Sequence, residues 1–462
     1  MKTNDSSIVT NIANPIFFIT NDVSKGLGLE KLLPNYHIVC LDDHPLVDYL
    51  IKDDVSVFCL ERELGKRNTV FRNSGKVLEH PLTEKYIAKK TNGKTPWISF
   101  FKSSAKIDSL CQKRGYQKIG NDASLGKVFE DKIFFYQTCQ QLGLTAPSGE
   151  IVDLQTIDFS VFKKKYGDKL VIQFGRGWAG STTFFIKNEK ELTALKKRVV
   201  SRVVKVTQFI QGRTILNNCC VTTKDGVLVS APAEQINAIA GFTANQGGTC
   251  GRVWPARIDR KQFDEVEMMS KKVGEEMRKN HYRGWFGLDF LLEEETGKIY
   301  LSENNARLTA SAPFYSKLEI GAGEMPLLVH HVLEFFREDY SRLRSNNKLT
   351  SNDKLSGSEL VVRNDSEKPI VIRKKFPPGI YHFNEGKLEF VKKAYDVEGV
   401  ENKGEFFITA AVKGRIVNPE AEMIRLNARE NILSAENQPH QWMIKALLEL
   451  KKSLMMGYKK VL

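Results

Sequence analysis

The sequence lacks several features that would place the protein outside the cytoplasm or in a membrane. Its seven cysteines include no CxxC pair, which argues against a zinc site or a disulfide framework and in favour of reduced thiols. No apolar run reaches the roughly 18–20 residues that a membrane span needs. The first residues, MKTNDSSIVTNIANP, also lack the basic-then-apolar signature of a secretory signal. We therefore expect a cytoplasmic protein that does not enter a membrane.

An excess of acidic residues is also missing, since the formal net charge is +14. This balance favours acidic partners such as nucleotides, anionic metabolites, nucleic acid or lipid headgroups. The basic residues are spread along the chain, however, and their clusters are short, as in FKKKYGDK and RKK. A solvated basic face is therefore an alternative explanation. No helix-turn-helix, RNP-type or zinc-finger pattern accompanies them, so we do not expect a nucleic-acid-binding protein.

The order of apolar segments predicts an α/β protein with several domains. PIFFIT (15–20) and HIVCLD (37–42) are continuous apolar runs, which is typical of buried parallel strands. The glycine-containing turn and helix between them resemble the first βαβ of a Rossmann-like unit. From residue 123 an amphipathic helix is predicted to run to Gly143. The predicted divisions are a Rossmann-like domain over 1–125, a second domain over 126–339, a polar linker over 340–357, and a mostly antiparallel β domain with a closing helix over 358–462.

Two acidic residues stand at matching positions of a predicted β-hairpin. If GWFGLDFLLE and KIYLSENN pair around a three-residue loop that ends at Gly297, Asp289 faces Glu303, and Asn305 lies on the same face. Cross-strand neighbours have Cβ atoms only ~4.5–5.5 Å apart, so these carboxylates repel each other. A divalent cation reverses the sign of that interaction, and Mg²⁺ that also binds phosphate oxygens fits an Asp/Glu/Asn set. The alternative is a solvated face of the hairpin.

A second hairpin, VIQFGRGWAGSTTFFI, is rich in glycine and precedes the acidic one in the chain. Gly175, Gly177 and Gly180 permit close backbone approach, while Ser181 and Thr182 add hydroxyl groups. Exposed backbone N–H groups beside hydroxyls are the chemistry of a phosphate-binding loop. The segment lacks GxxxxGK[ST] and is therefore not a Walker loop. Taken alone, a glycine-rich hairpin of this kind is more often a mobile turn.

In this order and spacing, the motifs resemble the ATP-grasp superfamily, within its biotin-carboxylase-like group of carboxylate–amine ligases. The resemblance is strongest over residues 115–335. It implies a Rossmann-like pre-ATP-grasp domain, a two-lobed ATP-grasp domain of α+β type with a lid lobe at about 150–205, and a C-terminal β domain. EDK, with Lys132, is similar to the family's lysine that reaches the ATP phosphates. GLDF and SENNAR are similar to its metal-binding acids and asparagine and to the arginine that follows them.

The resemblance implies a role for each candidate residue. The expected cofactors are ATP and Mg²⁺, with Mn²⁺ as an alternative metal. The implied metal ligands are Asp289, Glu303 and Asn305, and the implied catalytic residues are Lys132 and Arg307. A salt bridge to Asp289 or Glu303 is the alternative role for Arg307. The implied nucleotide contacts are Lys132, Gln173, Arg176, Gly177, Gly180, Ser181 and Thr182, together with Gln208, Phe209 and Ile210 on the strand that meets the adenine.

The sequence departs from the family's pattern in three respects. Gln173 stands where members commonly have a second phosphate-binding lysine, and Arg176 is a candidate source of the missing charge. Thr207 and Thr214 stand where acidic residues usually contact the adenine amino group and the ribose. We find no match to the bicarbonate site of biotin carboxylase and no biotinylated-lysine motif.

The implied activity is ATP-dependent activation of a carboxylate as an acylphosphate, which an amine then attacks. The expected partners are small-molecule carboxylates and amines, and a homodimer is compatible with the sequence. Arg252 is a candidate clamp for the substrate carboxylate, because guanidinium binds carboxylates bidentately; the alternative is a surface arginine. Ser311 is a second candidate substrate contact. The alternative functions are a carboxylating or kinase-like ATP-grasp reaction and a catalytically silent nucleotide sensor or assembly module.

Overall fold

The computed structural model describes residues 12–69, 71–178, 181–199, 202–245, 247–336, 355–384 and 386–456. The chain divides into two compact units. The first unit comprises Met1–Gly120, Ala233–Ala256 and Ala310–Leu462, and the second comprises Asn121–Pro232 and Arg257–Thr309. Most of the predicted linker, residues 340–354, lies outside the described residues. The predicted domain boundaries stay predictions.

Both units mix helices and strands, as the predicted α/β class requires. The strands, in chain order, are β1 Ile16–Thr20, β2 Tyr36–Cys40, β3 Ser56–Cys59, β4 Trp97–Phe100, β5 Gln117–Ile119, β6 Gly149–Asp153, β7 Leu170–Trp178, β8 Ser181–Ile186, β9 Val203–Gln208, β10 Gly212–Thr223, β11 Gly226–Val229, β12 Ala233–Asn237, β13 Thr249–Trp254, β14 Gly284–Glu293, β15 Ile299–Asn305, β16 Gly357–Arg363, β17 Ile370–Val371, β18 Gly379–Asn384, β19 Lys387–Lys393, β20 Glu405–Ala410, β21 Ile416–Val417 and β22 Glu422–Ala428. The α-helices are α1 Pro45–Lys52, α2 Leu60–Glu63, α3 Ser74–Glu79, α4 Pro81–Thr91, α5 Ala105–Arg114, α6 Ala123–Phe129, α7 Lys132–Gln141, α8 Phe159–Tyr166, α9 Glu189–Arg198, α10 Arg260–Lys279, α11 Ala312–Gly321, α12 Leu327–Phe336 and α13 Gln441–Met455.

A parallel sheet in the order β3-β2-β1-β4-β5 forms one part of the first unit. β1 lies between β2 and β4 and runs parallel to both, which confirms the predicted Rossmann-like arrangement. Both predicted apolar runs are buried strands, because side chains on each face of the sheet pack into the interior. The strand β3 was not predicted, since its SVFC segment is short and its first two residues are only half-buried.

An antiparallel sheet in the order β12-β13-β16-β22-β20-β18-β19 forms the rest of the first unit, and α13 packs on its core. This confirms the predicted C-terminal β structure with a closing helix. The glycine-rich segment AGFTANQGGTCGRVWP, which contains the candidate Arg252, ends in the strand β13. The segment LTASAPFYSK, which contains the candidate Ser311, enters the helix α11 at Ala312.

The second unit contains two antiparallel arrangements: β6-β9-β7-β8, which we call the lid sheet, and β15-β14-β10 with β11 paired to β10. Its core on one face of the lid sheet is made by apolar side chains of β7, β9, α8 and α9. The amphipathic helix predicted from residue 123 to Gly143 is two helices, because Glu130 and Asp131 interrupt it and Asp131 caps the second. Among the described residues, no helix has both the length and the apolar character that a membrane crossing requires.

Candidate active site

The hairpin β14–β15 places Asp289 directly opposite Glu303, as the sequence predicts. The loop is one residue longer than expected, since Glu293 N–H donates to Lys298 O at 2.9 Å and leaves four residues, 294–297, in the turn. Without a correction, that turn would place Ser302 opposite Asp289. A β-bulge at Ser302 restores the register, because it inserts one residue into β15. The predicted opposition of the two acids is therefore correct, although the predicted loop length is wrong.

Asn305 and Arg307 extend this acidic pair along one edge of the hairpin. Asn305 Nδ2 donates to Asp289 Oδ1 at 3.3 Å, and Arg307 NH1 donates to Asn305 Oδ1 at 2.7 Å. Arg307 NH1 also forms an ion pair with Glu130 Oε1 at 3.3 Å. Glu130 is the first residue of EDK, but no role was predicted for it, because it lies 177 positions away from Arg307 in the chain. The structure therefore connects two carboxylates, one neutral amide and one guanidinium into a single series.

Lys132 reaches the same place from the N-terminal end of α7. The break between α6 and α7 makes Lys132 the first residue of α7, where the Asp131 carboxylate accepts hydrogen bonds from Ile133 N–H at 3.0 Å and Phe134 N–H at 3.1 Å. The Lys132 ammonium forms an ion pair with the Glu303 carboxylate. The Lys132 side chain is 8% exposed and that of Glu303 is 34% exposed. A buried cation thus faces a carboxylate that solvent and ligands can still reach.

The glycine-rich hairpin β7–β8 approaches the start of α7 closely. A Cβ atom on Gly175 would lie 2.7 Å from Asp131 Oδ1, so a side chain at this position would clash. Arg176 Nε forms an ion pair with Asp131 Oδ2 at 3.3 Å. Gln173 is buried, and its Nε2 donates to Thr183 Oγ1 at 3.0 Å.

The predicted nucleotide contacts on this hairpin lie partly outside the described residues. Gly177 lies in β7. Gly180 lies outside the described residues, and so do the side chains of Ser181 and Thr182. Their predicted roles at the phosphates stay predictions.

Lys205 is a buried cation that our sequence reasoning missed. It lies on β9 directly opposite Gln173 on β7, and its ammonium is 5.5 Å from the centre of the Tyr136 ring. Burial, together with the positive charge of Lys132, lowers the pKa of Lys205 to about 8, although Glu303 acts in the opposite direction. The signal was present in VVKVTQ, where strand alternation separates Lys205 from the apolar Val204 and Val206.

The segment predicted to meet the adenine begins at Gln208, the last residue of β9. Gln208 N–H donates to Ser148 O at 2.9 Å, and Phe209 N–H donates to Lys169 O at 3.2 Å. Ile210 is buried. Because these two N–H groups are used within the protein, an adenine at this segment would be bound by other groups of the backbone.

The two predicted substrate contacts, Arg252 and Ser311, belong to the first unit. Arg252 is 8% exposed, so the alternative of a surface arginine is wrong. Its NH1 lies 3.6 Å from Glu359 Oε1, and neither Nε nor NH1 has a hydrogen-bond partner among the described residues. The other oxygen of Glu359 accepts from Arg425 NH1 at 3.1 Å. Ser311 is fully buried at the start of α11.

The donor set of the acidic hairpin fits a hard cation that keeps other oxygen ligands. Within the described part of the chain, no three His, Cys, Asp or Glu side chains come together as metal ligands. Asp289, Glu303 and Asn305 instead provide two carboxylates and one amide oxygen. Mg²⁺ in nucleotide sites is commonly held by one or two carboxylates, while phosphate oxygens and water complete its octahedron. The residues therefore fit Mg²⁺ bound together with a phosphate.

Comparisons with known proteins agree with this geometry. No family model matches the chain. A curated relative, the carbamoyl phosphate synthase large chain of Methanosarcina mazei, is 22% identical over 265 residues, which are 54% of this chain but only 24% of that protein. The chain thus spans about a quarter of the length of this relative.

Solved structures resemble most of the chain at low sequence identity. The biotin carboxylase domain of Hydrogenobacter thermophilus 2-oxoglutarate carboxylase, solved with MgADP and bicarbonate, has a TM-score of 0.57 and 12% identity, over 90% of this chain and 86% of that one. N5-carboxyaminoimidazole ribonucleotide synthetase from Thermotoga maritima has a TM-score of 0.51 and 14% identity, over 96% and 99% of the two chains. The fold of this chain is therefore the ATP-grasp fold of the biotin carboxylase-like enzymes.

Proposed function

We propose that the chain is an ATP-dependent ligase, which activates a carboxylate as an acylphosphate for attack by an amine and so forms an amide or peptide-like bond. The observation that carries the proposal is the direct opposition of Asp289 and Glu303, with Asn305 on the same edge and the buried Lys132 on Glu303. The ATP-grasp fold supports it independently.

The opposed carboxylates are easier to explain as a metal site than as part of a stable hairpin. Two unit charges about 5 Å apart repel by on the order of 3 kcal/mol at an effective dielectric constant of 20. The Lys132 ammonium offsets the charge of Glu303, and the amide of Asn305 donates to Asp289. Bound Mg²⁺ would offset the remaining negative charge and neutralise the triphosphate; Mn²⁺ suits the same oxygen ligands.

The protein's own groups would then position the reactants and stabilise charge. Lys132 and the glycine-rich hairpin would hold the phosphates while a carboxylate oxygen of the substrate attacks the γ-phosphorus and ADP leaves. Arg307, held between Asn305 and Glu130, would stabilise the charge of the transferred phosphoryl group. Phosphoryl transfer asks a protein chiefly for such positioning and electrostatic stabilisation. The amine then attacks the acyl carbon, and phosphate leaves.

Arg252 is the group that we propose for the substrate carboxylate. It is a buried guanidinium whose Nε and NH1 have no hydrogen-bond acceptor in the described part of the chain, and Glu359 is shared between Arg252 and Arg425. A carboxylate ligand would supply the missing acceptors, because guanidinium and carboxylate pair bidentately. The proposed partners are small carboxylic acids and amines, with the protein acting in the cytoplasm as a monomer or homodimer.

A carboxylating reaction is the second candidate, because the similar carboxylase domain was solved with bicarbonate. The experiment that separates the candidates is phosphate release from Mg·ATP in the presence of pooled carboxylic acids and amines, or of bicarbonate alone. A ligase releases phosphate only with an acid and an amine. Turnover with bicarbonate alone would identify the carboxylating reaction. Nucleotide binding without turnover in any pool would identify a catalytically silent module.

The Glu303→Gln variant is the control for that assay. It keeps the size and the hydrogen-bonding capacity of the side chain but removes the metal-binding charge. Substrate-dependent turnover that disappears in Glu303→Gln supports the ligase. Turnover that persists would mean that the acidic hairpin is not the reaction site.

A further inference from the structure

The lid sheet has one apolar face and one polar face, and Lys205 lies on the polar one. Ile172 and Phe174 of β7 and Val204 and Val206 of β9 belong to the apolar core. Because side chains alternate along a strand, residues between them point the other way. Gln173 and Lys205 hold these intervening positions, and they are direct cross-strand neighbours. Their Cβ atoms are therefore expected to lie only ~4.5–5.5 Å apart.

The helix α7 covers this polar face. Gly175, which has the same strand parity as Gln173, approaches the Asp131 carboxylate so closely that a Cβ atom would clash. Lower on the same helix, Tyr136 donates from its hydroxyl to Gly149 O at 2.9 Å, and its ring lies 5.5 Å from the Lys205 ammonium. Tyr136 and Lys132 are four positions apart on one face of α7. Lys205 and Lys132 therefore meet in the same corner, one from the sheet and one from the helix.

In this corner Lys205 is a buried cation that shares the Glu303 carboxylate with Lys132. Lys205 is 3% exposed, and burial of an ammonium is costly unless an anion is close. Glu303 attracts Lys205 but already forms the ion pair with Lys132. On the sheet, Gln173 and Thr183 are neutral and hydrogen-bonded to each other. Two buried ammonium groups thus share the Glu303 carboxylate, and a phosphate group would give Lys205 an anionic partner of its own.

We propose that Lys205 binds a phosphate group of the nucleotide together with Lys132, so that the phosphates are held from both the lid sheet and α7. This inference rests on the proposed function and assigns a further residue to the same site. Gln173 remains a neutral hydrogen-bond donor beside it. The charge that is absent at position 173 is supplied by the neighbouring strand.

The test is nucleotide affinity rather than turnover. Calorimetric titrations in the presence of Mg²⁺ would measure the affinities of the wild-type protein and of Lys205→Met for ADP and for adenosine. The affinity for adenosine would be measured by competition with ADP. We expect the affinity for ADP to fall at least about tenfold, since one hydrogen bond to a charged group is lost. The affinity for adenosine, which has no phosphate, should change less than about twofold.

Two further variants separate a phosphate contact from a structural role. Lys165→Met removes an equally charged side chain from the exposed surface of the second unit, where Lys165 pairs with Glu150, and should leave ADP affinity unchanged. The double variant Gln173→Lys/Lys205→Gln moves the ammonium to the facing position on β7 and should recover most of the lost ADP affinity. This variant also keeps the test valid if Lys205→Met does not fold.

Three outcomes would overturn the inference. Unchanged ADP affinity in Lys205→Met would show that Lys205 does not contact phosphate. An equal loss for ADP and adenosine, or no recovery in a folded double variant, would indicate that Lys205 only supports the fold. A wild-type protein that binds no ADP would instead overturn the proposed function itself, which distinguishes that failure from these three.

Discussion

The two units use buried charge in opposite ways. In the first unit, Arg415 donates two hydrogen bonds to the carboxylate of Glu61, from NH1 at 2.9 Å and from NH2 at 2.6 Å. Glu61 also accepts from Asp43 N–H at 3.0 Å and Thr69 N–H at 3.2 Å. In the second unit, Asp289 directly faces another acid, Glu303, which is partly open to solvent.

The Glu61–Arg415 pair stabilises the fold, whereas the opposed Asp289 and Glu303 are proposed to bind a ligand. A carboxylate surrounded by donors is complete without any ligand, and its removal costs stability. Two carboxylates that face each other are incomplete, and in the proposed function a cation and phosphate groups complete the site. Ionisable groups in such unfavourable electrostatic surroundings cluster at functional sites. Substitutions in the first cluster should therefore change folding, and those in the second should change activity.

The largest expected effect on folding comes from Arg415→Met. It would leave Glu61 buried without its cation, and breaking such a pair from one side costs about 3–5 kcal/mol. Urea denaturation should show this loss in the free energy of unfolding. Lys392→Met is the matched control, because the Lys392–Glu401 pair is exposed and worth less than about 1 kcal/mol. Similar losses in the two variants would contradict the structural role of the Glu61–Arg415 pair.

The largest expected effect on activity comes from Glu303→Gln. Removal of one metal-binding charge should lower the rate of ATP-dependent turnover about 10²- to 10³-fold, comparable to the loss of one strong transition-state contact. The thermal unfolding midpoint of the nucleotide-free protein should stay close to that of the wild type. A large fall in that midpoint would show that Glu303 instead stabilises the fold, as Glu61 does.

The pH dependence of stability offers a smaller effect. Burial raises the pKa of Glu61, but the hydrogen bonds from Arg415 and the backbone outweigh it and leave the pKa lowered. A group whose pKa is lower in the folded state stabilises the protein above its unfolded pKa of about 4.3, and this contribution is lost as the pH falls through the folded-state value. Glu61→Gln should therefore be less stable than the wild type at pH 7, and the difference should shrink at pH 3.5. A difference that is independent of pH would refute the account of Glu61.

The smallest effect is expected from Asp289→Asn. This change should raise the stability of the nucleotide-free protein and lower its affinity for Mg·ADP. The change removes a like-charge pair across β14 and β15, so the free energy of unfolding without nucleotide should rise by about 0.2–1 kcal/mol. Binding of Mg·ADP should weaken at the same time, because a metal ligand is replaced by an amide. Calorimetry and urea denaturation of the same preparation would measure both. A loss of stability in this variant would show that Asp289 stabilises the fold rather than binding a cation.

The sequence predicts the opposed acids well because strand alternation is a short-range rule. The register of Asp289 and Glu303 follows from one hairpin, and the left-handed Gly297 was placed correctly at φ +69°. The four-residue loop and the bulge at Ser302 escaped prediction, and their effects on the register cancel. The break before Lys132 was also missed, because the apolar periodicity continues across the cap at Asp131.

Contacts between distant parts of the chain explain most of what the sequence could not predict. Glu61 and Arg415 are 354 positions apart, and neither belongs to a motif. Arg252 was recognised as a candidate anion clamp, but its neighbours Glu359 and Arg425 come from β16 and β22. Lys205 could have been found from its parity in β9, yet only the pairing of β9 with β7 places it opposite Gln173. Local rules thus identify candidate residues, whereas sheet order decides which of them meet.

The central claim is that the acidic hairpin binds a metal and a nucleotide together. Its most direct test is a calorimetric titration of the wild-type protein and Glu303→Gln with ATP, with Mg²⁺ and with excess chelator. We predict saturable binding that requires Mg²⁺ and is strongly weakened in Glu303→Gln. No binding with Mg²⁺ present, or equal binding by both proteins, would contradict the claim.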